Sequence, residues 1–543
     1  MKKFFTLLVA LTATLCSFAQ TLNFTGTATM GIQNMSGYDV DILKSTLQIQ
    51  NISLQTLLAD VVVPELKYTI PNTSQVMTLA SFTIKNARFS TDGSTITIPS
   101  QEYSTTTTDA SGNTKDVAGL IEGTISNAGV LDIDLTIKYG TMWSVMNMVV
   151  TYENTAYLTT DNKWGLVGLG SAANPYRIFE PADFTAMATN ISATNTGMGE
   201  YFQVMNDIDF GGSETNPVQL PSIGKAAITN ITSIAWGFDG TFDGNNKTIS
   251  GIYHTNCGND ANGKFNAIFS SLGENGTVKN MYIGTNNYIK SYNYVAPIVC
   301  ISKGAIEGCT NNANVIAANF GAAGICGYMA SNNGTIKNCI NTGDMQAMTY
   351  AVGICVGSQS GSACGKKDAD YAYLIDNCTN SGNMSTTNGV GSAGIAGSYS
   401  GSITNCSNTG TIDDSKGTAK TVQYTGGIVS CMTYLNNVSN NTNSGSVKGV
   451  NYVGGVIGCI MKAADEKFDV SNNTNSGTVT ATGTPYGDIL GGSKRTQQTP
   501  TAISVINGND NANQADVYKT FVNGRFVIVK GNRSYTVGGA EVK

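Results

Sequence analysis

Between residues 20 and 157, apolar and polar residues alternate in short runs separated by turn-forming residues. The cleanest run extends from Leu131 to Tyr139, where apolar residues occupy every second position. A period of two is typical of a strand with one buried face. Roughly eight such runs, with no helical window between them, predict a closed meander barrel or a sandwich.

After a turn-rich junction at 170–175, the pattern becomes helical for one short segment. Pro181 suits a helix first turn, and Phe184, Met187 and Ala188 follow at helical spacing. We therefore expect one short amphipathic helix. It either caps the open first coil of the domain that follows or is a surface helix with no special role.

Two interleaved motifs then recur, and they predict a parallel β-helix. The first reads Ile/Val-x-Asn/Gly-Cys/Asn-x-Asn, and its copies begin at Ile306, Ile336, Ile375, Ile403, Val438 and Val470. The second begins with Gly-Ile or Gly-Val, at Gly324, Gly353, Gly394, Gly427 and Gly455. Units of roughly 30 residues are too small to bury their own apolar face, so equivalent residues must stack into one continuous core.

Each motif position has an expected role in the stack. The leading Ile or Val faces the core, and the asparagines stack and bond along the ladder. The closing Asn-Ser/Thr-Gly is expected to form the corner, because Asn and Gly tolerate left-handed backbone. One column is made by Cys309, Cys339, Cys378 and Cys406, continued by Asn441 and Asn473; another is made by Cys326, Cys355, Ala396, Val429 and Ile457. We expect buried thiols, although adjacent rungs could approach disulfide distance.

These motifs carry two family resemblances. The segments 206–210 and 238–251 resemble the start of GLUG-repeat proteins, and the glycine motifs are similar to the GLUG motif with Ile in place of Leu. This implies a right-handed parallel β-helix of the kind found in bacterial surface and adhesin-like proteins. The strands at 119–125, 131–140 and 149–153 resemble the calycin-like domain of secreted Bacteroidota proteins. This implies a lipocalin-like barrel, either filled by side chains or holding a small apolar ligand.

The two ends of the chain suggest an exported protein. Lys2-Lys3, the apolar run 4–15 and Ser17-Phe18-Ala19 predict a signal peptide over 1–19, which directs the chain to the extracellular space or the outer-membrane surface. No run is long enough for a transmembrane helix. The predicted domains are therefore a barrel at 20–157, a β-helix at 158–500, and a linker with a β-segment at 501–543. In the last, Asn523-Gly524 signals a hairpin, which either caps the final coil or acts in sorting.

Charge and composition argue against several classes of function. A net charge of −6 gives no basic footprint for nucleic acid, and the single histidine, His254, argues against His-dependent triads and multi-His zinc sites. Four of the carboxylates considered for catalysis lie in the segments that resemble the ordinary structural motif of GLUG-repeat proteins: Asp207, Asp209, Asp239 and Asp243. The other five are scattered over different repeat positions and form no ladder: Glu307, Asp344, Asp376, Asp413 and Asp414. We expect no enzyme activity, no cofactor and no bound metal. A polysaccharide-degrading β-helix enzyme is the alternative.

The longest insertion between repeats offers the predicted binding site. Solenoid insertions gather on binding faces, and the loop 361–373 carries Asp368, Asp370, Tyr371 and Tyr373. Tyr and amide side chains suit sugars or protein surfaces. The sequence thus predicts a monomeric, adhesin-like binding protein for a glycan or surface partner. A spacer that carries a ligand-binding barrel is a further alternative. An exposed aromatic row would favour binding, and a carboxylate row would favour an enzyme.

Overall fold

The computed structural model describes residues 21–140, 147–157, 164–225, 228, 231, 234–256, 258, 264–330, 334–358, 373–416, 423–461, 469–493, 517–522, 525–530, 533–536 and 541–542. Within these residues the protein is all-β apart from one helix, Pro181–Asn190, which confirms the fold class. The chain divides into two compact units. Unit 1 comprises Met1–Ala186 and Gly199–Asn206, and unit 2 comprises Met187–Met198 and Asp207–Lys543.

Unit 1 is built on an antiparallel sheet. Its strands are Leu22–Ile32, Met35–Ser53, Leu58–Val63, Phe82–Arg88, Ser90–Thr91, Thr95–Thr108, Thr114–Ser126, Val130–Tyr139 and Met148–Tyr157. The strands Leu66–Thr69 and Val76–Leu79 form a separate hairpin. The segment 82–91 closes the sheet, because its first part pairs with Leu58–Val63 and its last two residues pair with Thr95–Thr108. The predicted barrel is therefore formed.

A side chain joins the strands Phe82–Arg88 and Thr95–Thr108, which are not paired through their backbones. The strand Thr95–Thr108 has a bulge between Ile98 and Gln101. The buried Gln101 side chain accepts a hydrogen bond from the Arg88 N–H at 2.9 Å and donates one to the Arg88 carbonyl at 2.9 Å. One amide thus satisfies both backbone groups of a residue on the facing strand.

Side chains fill the interior of the barrel. Leu131, Ile133, Leu135 and Ile137, the inward residues of the cleanest sequence run, are at most 1% exposed. A cavity lined by apolar residues, among them Phe89, has a volume of about 20 Å³. Because a cavity of this size holds little more than one water molecule, the described interior favours the filled barrel over the ligand-holding one.

Unit 1 also contains one short parallel pair, Tyr176–Ile178 with Tyr201–Val204. The buried Trp164 packs edge-on against Phe202 at 5.0 Å and donates a hydrogen bond to Glu200. The predicted helix begins at Pro181, and Asp183 in its first turn accepts the Phe179 N–H at 2.7 Å.

Unit 2 is a stack of parallel sheets, as the repeats predicted. The asparagine sheet consists of Ile208–Asp209, Thr248–Ser250, Tyr282–Ile283, Thr310–Asn311, Ile340–Asn341, Thr379–Asn380, Ser407–Asn408, Thr442–Asn443 and Thr474–Asn475. The tyrosine sheet consists of Tyr253–His254, Tyr288–Ser291, Asn314–Ala317, Met345–Ala347, Met384–Thr386, Ile412–Asp413, Val447–Gly449 and Val479–Ala481. Each coil contributes one strand to each sheet, and neighbouring strands are one coil apart.

The remaining ladders complete the coils. One contains Phe265–Asn266, Tyr294–Val295, Gly321–Ala323, Tyr350–Val352, Gly391–Ala393, Tyr424–Gly426, Val453–Gly454 and Tyr486–Gly487. A second contains Phe269–Leu272, Val299–Ser302, Cys326–Met329, Cys355–Ser358, Ile457–Ile460 and Leu490–Ser493, and a third contains Thr241–Asp243, Thr277–Lys279, Ala305–Glu307, Thr335–Lys337 and Leu374–Asp376. The longer strands Ala396–Thr404 and Val429–Ser439 join these last two ladders into one sheet.

The first motif folds largely as expected, with one correction. Its leading Ile or Val is buried in every copy. The corner, however, is at the third motif position and not at the closing Asn-Ser/Thr-Gly: Gly308, Asn338, Asn377, Asn405, Asn440 and Asn472 have φ between 51° and 62°. The closing glycine is required for space instead. A side chain on Gly343 would collide with the carbonyl of Ala313 on the preceding coil.

The sixth motif position forms a buried asparagine ladder. Each amide nitrogen donates to the carbonyl two residues on and to the amide oxygen of the next coil, as Asn341 does to Gly343 and to Asn380. The ladder contains Asn311, Asn341, Asn380, Asn408, Asn443 and Asn475, with steps of 2.7–2.8 Å. It ends at Asp488, which accepts from Asn475 at 2.6 Å.

The second motif fits against this ladder. A side chain on Gly353 or Gly394 would collide with the amide group of Asn380 or Asn408, respectively. The glycine of one motif therefore makes room for the asparagine of the other, and this explains why the two recur together.

The cysteine column acts as a row of hydrogen-bond donors. Cys339 donates to the Lys337 carbonyl at 3.2 Å, and Cys406 donates to the Thr404 carbonyl at 3.1 Å. At the same column Asn441 donates to the Ile403 carbonyl at 3.0 Å. Cys and Asn thus share the ability to donate to backbone carbonyls at the corner. All nine cysteines in the described part of the chain are buried free thiols.

The C-terminal segment contains the strands Val517–Val522, Arg525–Lys530, Arg533–Thr536 and Glu541–Val542, which pair antiparallel in that order. The first two pair antiparallel up to Val522 and Arg525, as expected for the predicted hairpin, and its turn residues 523 and 524 lie outside the described residues. Among the described residues, no helix has the length and apolar character needed to cross a membrane.

Candidate functional site: the exposed face of the tyrosine sheet

The tyrosine sheet has one buried and one exposed face. Its inward column contains His254, Ile289, Val315, Met345, Met384 and Ile412, all buried. The residue before each of these points outward, because successive side chains of a strand lie on opposite faces. We call this outward set, Tyr253, Tyr288, Asn314, Asp344, Asn383 and Thr411, the outer column.

Two stacked tyrosines begin the outer column. The rings of Tyr253 and Tyr288 lie 4.8 Å apart at an angle of 22°, on directly paired residues of adjacent coils. Both are half-buried. Their inward neighbours fix them, since His254 and Ile289 are buried beneath. Desolvation, followed by the nearby carboxylate of Glu214, raises the pKa of Tyr253.

Beyond the tyrosines, the outer column becomes polar and exposed. Each side chain uses one oxygen to accept the backbone N–H of the next coil: Asn314 from Asp344 at 2.9 Å, Asp344 from Asn383 at 2.8 Å, and Asn383 from Thr411 at 3.1 Å. These bonds orient the side chains. Asn314 Nδ2 and Asp344 Oδ2 have no hydrogen-bond partner within the described residues, so both face solvent.

His254 beneath the tyrosines is a core residue. Its Nδ1 accepts the Leu220 N–H at 3.3 Å, and desolvation lowers its pKa to about 4. The imidazole is therefore neutral at physiological pH.

The structure describes only part of the binding site predicted at the insertion 361–373. Asp368, Asp370 and Tyr371 lie outside the described residues. Tyr373 is fully buried and packs against Tyr399, with 6.3 Å between ring centroids. Tyr373 is therefore a core residue and cannot present its ring to a ligand.

Two of the carboxylates considered for catalysis, Asp376 and Asp414, have structural roles. Asp376 accepts hydrogen bonds from Thr404 and Asn405 of the next coil at 2.6 and 2.7 Å. The buried Asp414 accepts from the hydroxyls of Thr386, Ser392 and Thr425. Within the part of the chain that the structure describes, no group of three or more His, Cys, Asp or Glu residues is placed to hold a metal ion.

A second aromatic row stabilises the fold. Phe265, Tyr294, Phe320 and Tyr350 contact one another in sequence, with ring centroids 4.7–5.9 Å apart. Tyr294 and Tyr350 pack with Phe320 over buried Ala296, Ala323 and Val356. Desolvation raises the pKa of both tyrosines. These rings mainly cover a small apolar cluster and are less accessible than the tyrosines of the outer column.

Sequence reasoning missed Tyr253 and Tyr288 as a pair. Both precede the first full copy of the repeat motif at Ile306, so no motif aligned them. The detectable signal was the alternation Tyr253-His254 and Tyr288-Ile289 at a separation of 35 residues, close to the repeat length.

Comparisons with known proteins do not identify the function. No family model and no curated protein matches the chain. A proposed immunoglobulin A1 protease from Bacteroides ovatus is 19% identical over 59% of this chain and 86% of its own, with a TM-score of 0.37. A proposed outer membrane protein from Bacteroides fragilis is 20% identical over 25% of this chain and 50% of its own, with a TM-score of 0.20. The GLUG and calycin-like resemblances therefore rest on the sequence motifs.

Proposed function

We propose that this protein is an exported, adhesin-like binding protein that recognises a glycan without cleaving it. The observation that carries the proposal is the stacked pair Tyr253 and Tyr288 on an exposed sheet face. Because the two rings cover each other's inner faces, the pair offers a sugar its outward ring edges and hydroxyls. Adjacent amide and carboxylate groups can bond to sugar hydroxyls. The outer column supplies both kinds of group.

The same face argues for binding rather than catalysis. Glycoside hydrolysis requires two carboxyl groups roughly 5–9.5 Å apart. Asp344 is the single carboxylate of the outer column, and its Oδ1 accepts two hydrogen bonds from Asn383. The predicted signal peptide supports export, which would bring this face to extracellular glycans.

The proposal is tested with an array of host and plant glycans. The mature chain, Gln20 to Lys543, is compared with the double variant Tyr253→Ala/Tyr288→Ala, and new reducing ends are assayed on every hit. We expect binding without product, and at least a tenfold loss in the double variant. Tyr486→Ala is the matched control, because Tyr486 is 51% exposed on a different sheet.

Three results would contradict the proposal. Product release would indicate an enzyme, and binding that survives the double variant would place the site elsewhere. The absence of any glycan hit would favour a protein partner or a spacer. Unchanged urea unfolding of the double variant would show that the loss of binding is not a loss of fold.

A further inference from the structure

The outer column extends well beyond the two tyrosines. From Tyr253 to Thr411 it crosses six coils in succession, with one outward side chain per coil. Neighbouring strands are about 4.8 Å apart, so the column is roughly 24 Å long. A disaccharide would cover only its tyrosine end. The remaining positions suit a ligand that repeats along the same axis.

The geometry points to a linear, neutral polysaccharide, bound in extended form along the outer column with its first sugars against the outward edges of Tyr253 and Tyr288. This inference rests on the proposed glycan-binding function and specifies its ligand. In a linear polysaccharide, each sugar unit carries hydroxyl groups, and the units follow one another every few ångströms. The outer column likewise places one side chain on each coil, so successive sugars can meet successive side chains.

The outward groups supply the polar contacts. Asn314 Nδ2 is a donor and Asp344 Oδ2 is an acceptor, and they lie on adjacent coils. Each is held by its other oxygen, which bonds to the backbone of the next coil. The groups are therefore oriented before a ligand arrives, which reduces the entropy lost on binding.

Charge selects a neutral polymer. Asp344 is the charged member of the column, and Glu214 is close enough to Tyr253 to raise the pKa of that tyrosine. The chain has a net charge of −6. Lys290 and Lys448 also point outward from this sheet. The carboxylates of Asp344, Asp413 and Glu214 outnumber them, so we expect this face to disfavour polyanions such as uronates.

Binding of oligosaccharides of graded length tests the inference. The probes are β-1,4-linked glucan, xylan and mannan oligosaccharides of two, four and six sugars, with oligogalacturonates as charged counterparts. Calorimetry with the mature chain should show affinity rising at least tenfold from the disaccharide to the hexasaccharide in one neutral series. Oligogalacturonates should bind more weakly at every length.

Two isosteric variants locate the extended contact. Asn314→Asp and Asp344→Asn each preserve the oxygen that bonds to the next coil and change only the outward group. Each should reduce hexasaccharide affinity at least fivefold and leave disaccharide affinity unchanged. Ser385→Ala is the matched control, because Ser385 is exposed in the neighbouring column of the same sheet.

The outcomes separate the two proposals. Equal affinity for two and six sugars, with binding still dependent on Tyr253 and Tyr288, would overturn the extended site and leave glycan binding intact. Tighter binding of oligogalacturonate would overturn the neutral specificity. Failure of the array and of all these series to bind would overturn both proposals.

Discussion

At the scale of single residues, buried polar side chains are defined by the bonds they make. Asn380 is fully buried, accepts from Asn341, and donates to Gly382 and Asn408. A buried amide is tolerated only when its bonding capacity is used. Glycines such as Gly353 then supply the space that the ladder requires.

Replacement of one ladder residue should be costly. Asn380→Ala removes the acceptor of Asn341 and the donor to Gly382 and Asn408, so we expect a loss of about 3 kcal/mol in the free energy of unfolding. Urea unfolding measures this. The exposed Thr442→Ala should stay within about 0.5 kcal/mol of the parent. Equal effects of the two variants would show that the ladder does not stabilise the coils.

At the scale of elements, a bent strand and one amide close the barrel. The strand Thr95–Thr108 has a bulge in its pairing with Thr114–Ser126, and at its other edge Gln101 bonds to Arg88 of the strand Phe82–Arg88. Bulges allow a sheet to curl, and the Gln101 amide joins two strands that have no backbone pairing with each other.

The Gln101→Ala variant should therefore weaken the contact between the strands Phe82–Arg88 and Thr95–Thr108. It leaves the Arg88 N–H and carbonyl without their protein partner, and we expect a loss of about 2 kcal/mol. Amide hydrogen exchange at Arg88 and urea unfolding provide the measurement. Glu102→Ala, at the exposed neighbouring position, is the control. Unchanged protection of the Arg88 amide would contradict the role assigned to Gln101.

The elements also show what the sequence could and could not predict. Repeated Ile and Val positions predicted the parallel stack, since burial by stacking leaves a visible period. The corner at Asn338 was misplaced because Asn occurs at two motif positions, and only backbone geometry distinguishes them. The role of Gln101 could not be predicted, because Gln101 and Arg88 lie in unit 1, where no sequence repeat indicates which residues of different strands meet. Tyr373 was assigned to a binding loop, but it belongs to the core.

At the scale of the whole molecule, stacking makes every coil depend on its neighbours. Solenoid stability is approximately a sum of coil and nearest-neighbour contributions. The reactivity of the cysteines depends on whether the coils are stacked. The nine described thiols are buried, and burial raises the pKa of Cys300 and Cys326. Burial keeps reagents away from the thiols, and thiolate formation at Cys300 and Cys326 is suppressed while the coils remain stacked.

A thiol titration should distinguish intact from opened coils. With an aromatic disulfide reagent at neutral pH, we expect at most two thiols of the mature chain to react, and all eleven to react in guanidinium chloride. A native count well above two would mean that the coils open readily. A denatured count well below eleven would indicate disulfides.

The direction of the asparagine ladder has a consequence for how such a protein can change in length. Every coil in it presents an amide oxygen on one side and an amide nitrogen on the other, so a coil can be inserted or removed as a whole and the contacts still match. Asp488, which only accepts, ends the series. Duplication of one coil would therefore add one outward side chain to the outer column. A longer repeat array would bind a longer stretch of ligand, and the existing coils would not have to change.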